Sequence, residues 1–353
     1  MSKTRIAVAG AGMIGRRHIE EIVSGAGTAL SAIVDPAPNT AELARQYGVQ
    51  HLRSIEELLA QDRPDGIVLA TPNALHVAQA MQCIEAALPV LVEKPLATTL
   101  ADGERLVRAA ETAKALVLVG HHRRHSPILH AAVEIVASGV LGPLVGVIGS
   151  AVFYKPDSDG YYDAPYEWRR RIGGGPILLN MIHEIGNLRA MVGEIAAVQA
   201  FTSNATRQFE VEDTVAINFR FHNGTLGTFL LSDTAASPKS WEQTSLENKA
   251  YASYEDQDAY VILGTNGSLG VPTMRMHLYT QPSARSWHKP FDVQQRNVER
   301  ADPLARQIAH FAAVIRGETR PLVTARDGLQ NLRVTDAIER AAATGATVEI
   351  RID

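Results

Sequence analysis

The sequence predicts an α/β protein of two domains: an N-terminal, doubly wound parallel sheet and a C-terminal α+β domain with a large, mostly antiparallel sheet. Over the first 120 residues short apolar strands alternate with helical segments, which is the pattern of βαβ units. Beyond residue 125 longer strands follow one another, and Asn223-Gly224 between two of them is a typical hairpin turn. A chain of 353 residues also exceeds what one hydrophobic core usually supports.

The N-terminal elements follow from hydrophobic periodicity and from capping residues. Strands are predicted at 5–9, 30–34, 66–70, 90–93 and 116–119, and helices at 13–24, 39–47, 54–60, 73–87 and 99–115. Ser54 followed by Glu57, and Thr99 followed by Asp102, are N-terminal capping pairs for two of these helices. The alternation predicts a dinucleotide-binding domain of the Rossmann type over residues 1–122.

The remaining residues, 123–353, are predicted to form a domain for substrate binding and oligomerisation. Helices are predicted at 127–138, 176–192, 303–316 and 325–344, and strands at 144–153, 196–206, 214–221, 225–232, 259–264 and 274–280. The loop 155–175 is long enough to indicate a functional role. A sheet with helices on one face needs cover on its other face, so we expect a homodimer or homotetramer.

Composition excludes several function classes. Hydrophobic residues make up 46% of the chain and charged residues 20%, which is ordinary globular composition. The net charge of -4 offers no field for nucleic acid or an anionic membrane, so neither is an expected partner. Cys83 is the single cysteine and provides neither a disulfide nor a cysteine-rich metal site. With no signal peptide and no apolar run long enough to span a membrane, we expect a cytoplasmic protein.

A glycine-rich turn lies between the first predicted strand and the first predicted helix. It reads Gly10-Ala11-Gly12-Met13-Ile14-Gly15. Glycines at this spacing allow a tight turn, backbone approach to a pyrophosphate and close helix–strand packing, while the helix N-terminus stabilises the phosphate charge. Such a turn alone is a weak signal, but Asp35 ends the second strand twenty residues past Gly15. A carboxylate there accepts hydrogen bonds from the ribose hydroxyls of a dinucleotide.

Asp35 also indicates which dinucleotide is bound. Its carboxylate would repel a 2′-phosphate, and the following Pro36-Ala37-Pro38 offers no arginine to hold one. The sequence therefore favours NAD over NADP.

Further motifs follow in order along the chain. Thr71-Pro72-Asn73-Ala74-Leu75-His76 comes after the third predicted strand, and Glu93-Lys94-Pro95 ends the fourth. Later come His122-Arg123-Arg124, Trp168-Arg169 and Gly173-Gly174-Gly175 before a helix. Together with the glycine turn, these motifs resemble the Gfo/Idh/MocA family of sugar and polyol dehydrogenases, over nearly the whole chain.

The resemblance implies a set of cofactor-binding residues. These are Gly10, Gly12, Met13, Ile14, Gly15, Asp35, Thr71, Pro72, Asn73, His76, Glu93, Lys94, Arg124, Trp168 and Arg169. Trp168 and Arg169 are implied to lie at the cofactor edge, whereas Arg170 and Arg171 receive no assignment.

Lys94 is the first predicted catalytic residue. It ends a parallel strand, where open α/β sheets bind their ligands. Apolar neighbours and an adjacent oxidised nicotinamide would both lower its pKa. Such a lysine can hydrogen-bond a substrate hydroxyl and stabilise the developing alkoxide. A solvated lysine at a strand end is the structural alternative.

The helix 176–192 holds the second predicted catalytic residue. Asn180, His183 and Asn187 share one face of an otherwise apolar helix, which favours a position lining a cleft. The resemblance implies that His183 takes the proton of the substrate hydroxyl. The family commonly has Asp where this chain has Leu179. Asn180 beside it is predicted to bind substrate but cannot act as a base.

Predicted substrate contacts are therefore Lys94, Asn180 and His183, with Tyr154 added from the long loop. The loop tyrosines and arginines suit a hydroxylated ring, with or without a carboxylate, and nothing in the sequence selects one substrate. No metal site is predicted, since His122 and His125 have no acid or cysteine nearby.

Two other functions stay open beside a dehydrogenase acting on a sugar, polyol or cyclic diol. One is a sensor or regulator that binds the dinucleotide without turnover. The other is hydrolysis or elimination assisted by the nicotinamide. Lys94 and His183 favour the redox enzyme over the sensor.

Overall fold

The computed structural model describes residues 3–61, 63–157, 160–164 and 166–352. They form two compact units. The first unit contains the chain up to His125 together with Pro303–Leu332, and the second contains Ser126–Asp302 and the chain from Arg333 onward. No helix within the described ranges is both long and apolar enough to cross a membrane.

The first unit is built on a six-stranded, wholly parallel sheet. Its strands are β1 (Thr4–Ala9), β2 (Thr28–Val34), β3 (Gln50–Leu52), β4 (Gly66–Leu69), β5 (Val90–Glu93) and β6 (Val117–Gly120). Its helices are α1 (Met13–Ser24), α2 (Thr40–Gln46), α3 (Ile55–Gln61), α4 (His76–Glu85) and α5 (Leu100–Ala113). The strand order is β3-β2-β1-β4-β5-β6. The chain builds the sheet outward from β1 in one direction and then from β4 in the other, and doubly wound sheets bind their ligands at this switch between β1 and β4. The predicted Rossmann architecture is confirmed.

Local signals place the helix starts in this unit. The hydroxyl of Thr99 accepts a hydrogen bond from the Asp102 backbone N–H at 3.1 Å. Ser54 accepts one from the Glu57 N–H at 3.3 Å, and the Glu57 carboxylate accepts one from the Arg53 N–H at 2.7 Å. Both predicted caps are present. β3 was not predicted, because this three-residue edge strand buries only its last residue.

The second unit is built on a nine-stranded sheet. Its main strands are β7 (Leu144–Val152), β8 (Ile195–Ser203), β9 (Thr214–Phe221), β10 (Leu226–Ser232), β11 (Tyr260–Gly264), β12 (Gly267–Val271), β13 (Arg275–Leu278), β14 (Asp292–Gln295) and β15 (Val348–Glu349). The order is β14-β13-β12-β11-β7-β10-β9-β8-β15, and only β7 and β10 pair in parallel. The mostly antiparallel sheet is confirmed, although β12, β14 and β15 were not predicted.

The helices of this part of the chain are α6 (Pro127–Ala137), α7 (Ile182–Met191), α8 (Trp241–Thr244), α9 (Pro303–Ile315) and α10 (Ala325–Thr344), with a π-helical turn at Ile177–Met181 directly before α7. Buried side chains of β9 alternate with exposed ones along the whole strand. The buried side chains of the second sheet pack into one core with residues of α6 and α7. On the opposite face of β9, Ala216, Asn218 and Arg220 are exposed.

The predicted division at residue 122 was wrong for one segment. Pro303–Leu332 belongs to the first unit, although the sequence places it beyond the whole second sheet. Ile308 and Phe311 of α9 are fully buried in one core with Ile6 and Ile19. The apolar face of α9 completes this core, and sequence position alone carries no sign of that.

Candidate active site

The glycine turn after β1 leaves open space where a pyrophosphate is expected. Gly10 has a φ of +90, and a Cβ there would lie 2.5 Å from the carbonyl oxygen of Ala70. A Cβ on Gly15 would lie 1.9 Å from the carbonyl oxygen of Gly10. A Cβ on Gly12 would meet nothing within 4 Å. Two glycines thus serve close packing, while the third leaves the N-terminus of α1 open to a ligand.

Asp35 reaches this turn from the end of β2. Its two carboxylate oxygens accept hydrogen bonds from the backbone N–H groups of Ala11 and Ala37, each at 2.8 Å. A carboxylate offers about four acceptor positions, so Asp35 can accept further hydrogen bonds from a ligand. The turn and the acid therefore lie together, as a dinucleotide site requires. The ribose contact itself stays a prediction.

His76 joins two of the predicted motifs. Its Nδ1 lies 2.8 Å from the carbonyl oxygen of Pro95, and its Nε2 lies 2.9 Å from that of Thr71. The ring is completely buried, and this burial lowers the pKa of His76 although both carbonyl contacts act in the opposite direction. Its side chain was predicted to bind the cofactor, but a ring buried between two backbone carbonyls instead positions the loops that carry Thr71, Pro72 and Asn73.

Glu93 has a similar buried position at the end of β5. One carboxylate oxygen lies 2.7 Å from Nε2 of His18 on α1, and the other accepts a hydrogen bond from the Lys94 backbone N–H at 3.2 Å. Burial alone would raise the pKa of Glu93, but the hydrogen bond and charge of His18, with His122 and Lys94, hold it below the ordinary value. Glu93 thus positions Lys94, which is half-buried at the carboxyl edge of the sheet. His18 was not predicted; its only signal is a polar side chain on the buried face of α1.

The His122–His125 segment forms a single 3-10 turn. Arg123 and His125 are buried within it, whereas Arg124 is half-buried. The contact of Arg124 with the cofactor stays a prediction. Across the described residues, no group of three or more His, Cys, Asp or Glu side chains could hold a metal ion.

In the second unit, the predicted catalytic helix begins with the π-helical turn Ile177–Met181 and continues as α7. Asn180 lies in the π-helical turn and is half-buried, and His183 follows in the first turn of α7 with 8% exposure. Single π-helical turns within helices are frequent at functional sites, because they re-aim the side chains they carry.

Asn187 was predicted to share the cleft-lining face with His183, and this was wrong. Its side-chain amide donates a hydrogen bond to the Tyr260 hydroxyl at 3.0 Å, and that hydroxyl donates to the carboxylate of Glu184. All three groups are buried. The spacing of polar residues along a helix cannot distinguish side chains that line a cleft from side chains that are buried and hydrogen-bonded within the core.

Lys155, which the sequence analysis did not single out, lies against Asn180. Its ammonium donates hydrogen bonds to the Asn180 side-chain oxygen at 2.8 Å and to the Tyr161 hydroxyl at 3.0 Å. Burial lowers the pKa of Lys155 to about 8. A lysine shortly after a strand end, next to the predicted Tyr154, is the only sequence signal for it.

Aromatic rings surround the arginines of the loop 155–175, in the part of it that the structure describes. The Arg169 guanidinium carbon lies 4.0 Å from the ring centre of Tyr161 and 4.3 Å from that of Tyr166. Trp168 and Tyr154 are exposed. Arg170, which had no assignment, forms an ion pair with Asp163 at 2.7 Å.

Comparison with known proteins agrees with this architecture. Residues 4–121 match the family model described as "Oxidoreductase family, NAD-binding Rossmann fold", and residues 129–270 match the model of the GFO/IDH/MocA C-terminal domain. The two matches together span well over half of the chain. The protein belongs to the Gfo/Idh/MocA family. It is an NAD-binding oxidoreductase, as the sequence motifs predicted.

Individual relatives within the Gfo/Idh/MocA family are distant but match along the full length. The 1,5-anhydro-D-fructose reductase of Ensifer adhaerens is 28% identical, over 96% of this chain and 98% of the relative. The NAD(+)-dependent scyllo-inositol 2-dehydrogenase of Bacillus subtilis is 25% identical, over 99% and 97%. The crystal structure of the WlbA dehydrogenase from Bordetella pertussis, in complex with NADH and UDP-GlcNAcA, matches with a TM-score of 0.78 and 26% identity over 99% of this chain and 100% of that one.

Proposed function

We propose that this protein oxidises a secondary alcohol carbon of a sugar, polyol, cyclic diol or related hydroxylated compound, and that Lys94 and His183 are its catalytic residues. The observation that carries the proposal is the position of Lys94. It directly follows β5 at the same edge of the parallel sheet as the glycine turn, and its backbone N–H donates to Glu93, which pairs with buried His18. A cation at that edge is suited to binding the hydroxyl of a substrate.

The residues of each unit have separate proposed roles. NAD, when bound along the glycine turn and Asp35, supplies the hydride acceptor. Lys94 donates a hydrogen bond to the substrate oxygen and stabilises the negative charge that develops there. His183 accepts the hydroxyl proton, and Asn180 holds a neighbouring substrate group. NAD is proposed as the preferred dinucleotide because Asp35 offers a carboxylate where a 2′-phosphate would need a cation.

Variants with matched controls test this function. After a thermal-shift screen of polyols, sugar acids and cyclic diols with NAD, turnover is measured for Lys94→Ala and His183→Ala. We expect each to lower turnover by about 10²–10⁴ while NAD affinity stays nearly unchanged. The exposed Lys249 and His222 provide controls, since their alanine variants should behave as the wild type.

The same assay distinguishes the other two functions. Steady accumulation of reduced cofactor supports the dehydrogenase, transient reduction indicates nicotinamide-assisted hydrolysis or elimination, and no reduction indicates a sensor. A folded His183→Ala protein with wild-type turnover would remove His183 from the mechanism.

We further propose that the exposed face of the second sheet packs against another copy of the chain. Large apolar side chains are exposed on this face, namely Ile148 (52%), Phe201 (77%), Leu226 (60%) and Leu230 (45%). Leu230 on β10 pairs with Ala216 on β9, which pairs with Phe201 on β8, so Leu230 and Phe201 lie on the same face of the sheet with one strand between them. Several large apolar side chains exposed on one sheet face indicate an interaction surface.

A further inference from the structure

Two cations of the second unit lie against the same aromatic ring. The Lys155 ammonium is 4.2 Å from the ring centre of Tyr161, and the Arg169 guanidinium carbon is 4.0 Å from it. Among the described residues, Lys155 donates hydrogen bonds only to the neutral oxygens of Asn180 and Tyr161. Arg169 donates one hydrogen bond, to the backbone carbonyl of Tyr161 at 2.9 Å. Neither cation has a carboxylate partner within that part of the chain.

The neighbouring arginines differ in this respect. Arg170 pairs with Asp163 at 2.7 Å, and the Arg207 guanidinium pairs with Asp233 at 2.9 Å. The Asp233 carboxylate also accepts a hydrogen bond from the Tyr162 hydroxyl. Arg170 and Arg207 are thus each ion-paired with an acid, whereas neither Lys155 nor Arg169 forms an ion pair with a carboxylate of the described residues.

Leaving these two cations unneutralised is unfavourable for the free protein. Burial is the largest influence on Lys155 and lowers its pKa to about 8, and the positive charges of Arg169 and Arg207 act in the same direction. The negative charges of Asp233 and Glu242 act against this shift without cancelling it. A desolvated cation without a partner costs free energy, which an anion that binds beside it recovers.

We propose that Lys155 and Arg169 form the binding site for a carboxylate of the substrate. This inference rests on the proposed function, because it narrows the hydroxylated substrate to a hydroxy acid. Lys155 is hydrogen-bonded to Asn180, three residues before His183 on the same helical segment, so the site lies beside the predicted catalytic face. The inference reassigns Arg169, which was predicted at the cofactor edge, to the substrate.

A carboxylate fits this site better than a phosphate does. One ammonium and one guanidinium provide a point charge and a planar fork of donors, which together match a singly charged, planar anion. Asp233 borders the same cleft. Its negative charge would repel a phosphate dianion more strongly than a monoanion.

The test compares hydroxy acids with their neutral amides. Pairs such as D-glucuronate and D-glucuronamide, or quinate and its amide, are assayed with the wild-type holoenzyme and NAD for turnover and for thermal shift. We expect kcat/KM to favour the acid by about tenfold or more, mainly through KM. Lys155→Met and Arg169→Gln should each reduce this preference by about tenfold, and Lys155→Arg should retain most of it.

Matched controls make the outcome specific. Arg170→Gln should keep the preference for the acid, since Arg170 is already paired with Asp163. Equal use of acid and amide by the wild type would overturn the inference, as would a stronger response to D-glucose 6-phosphate than to any acid.

Thermal shift separates this inference from the proposed function. If carboxylates raise the melting temperature of the wild type but not of Lys155→Met, the anion site stands even where no compound reduces NAD. If neutral polyols are oxidised with no preference for acids, the dehydrogenase stands and the anion site fails.

Discussion

The carboxyl group of Glu212 offers a direct test of how the predicted catalytic helix is held. Its Oε1 accepts a hydrogen bond from the Ile177 backbone N–H at 2.8 Å, where the π-helical turn before His183 begins. Burial raises the pKa of Glu212 from 4.5 to about 7, and the negative charges of Glu339 and Asp233 add to this, although the Ile177 N–H acts against it. The substitution to test is Glu212→Gln, which keeps the acceptor oxygen and removes the charge.

The sign of the effect follows from the direction of the shift. Because the folded-state pKa is the higher one, the folded protein retains a proton that the unfolded chain releases between pH 4.5 and about 7. The free energy of unfolding of the wild type should therefore fall as pH rises through this window and then level off. A shift of this size corresponds to a loss on the order of 3–4 kcal/mol, at about 1.4 kcal/mol per pKa unit.

Glu212→Gln should remove this loss. Near pH 4 the variant and the wild type should have similar free energies of unfolding, because both side chains are then neutral. At pH 8 the variant should be more stable by on the order of 3–4 kcal/mol. Urea unfolding followed by tryptophan fluorescence across pH 4–9 measures the difference directly.

The exposed Glu210, two residues away, provides the control, since Glu210→Gln should show no such pH-dependent gain. Glu212→Ala should be less stable than Glu212→Gln at every pH, because it leaves the Ile177 N–H without its acceptor. A difference between Glu212→Gln and wild type that stays constant across pH would refute the reasoning.

Three further predictions concern other parts of the molecule. Asp35→Ser should weaken NAD binding and narrow its advantage over NADP in fluorescence titrations; tighter binding of NADP than NAD by the wild type would contradict the role of Asp35. Phe201→Glu should lower the mass measured by light scattering to that of a monomer, while Lys249→Glu at another exposed site should not, and a monomeric wild type would end the sheet-face proposal. His18→Leu should destabilise the protein by about 3–5 kcal/mol in urea unfolding, since it leaves buried Glu93 without its partner; an unchanged midpoint would show that the pair contributes nothing.

Local sequence patterns predicted the first unit closely. The predicted strand at 90–93 and the predicted helix at 13–24 match β5 and α1 residue for residue. In these segments the apolar periodicity, the glycine turn and the strand ends all lie within a few residues of the structure they determine. The glycine turn and Asp35 were likewise predictable as a pair, since a βαβ unit brings the ends of two adjacent parallel strands together.

Contacts between distant residues were not predictable. His18 and Glu93 are separated by 75 residues, and each alone reads as an ordinary polar side chain. The packing of α9 in the first unit was unpredictable for the same reason. An amphipathic pattern shows that one face of a helix is buried, but it does not show which core buries that face.

The predicted catalytic helix shows why substrate residues are the hardest to predict. Asn180 and Asn187 have the same side chain and lie two turns apart, yet their hydrogen-bond partners differ. Asn187 is hydrogen-bonded to the Tyr260 hydroxyl of β11 in the core, whereas Asn180 is hydrogen-bonded to the Lys155 ammonium, which lies just after β7.

Whether a polar side chain belongs to a core or to a binding site therefore depends on whether the residue bonded to it still has donors or charge to offer a ligand. Tyr260 bonds to both Asn187 and Glu184 within the core, while the Lys155 ammonium beside Asn180 forms no ion pair with a described carboxylate. The proposed preference for a carboxylate substrate rests on that difference, which depends on contacts between residues far apart in the sequence.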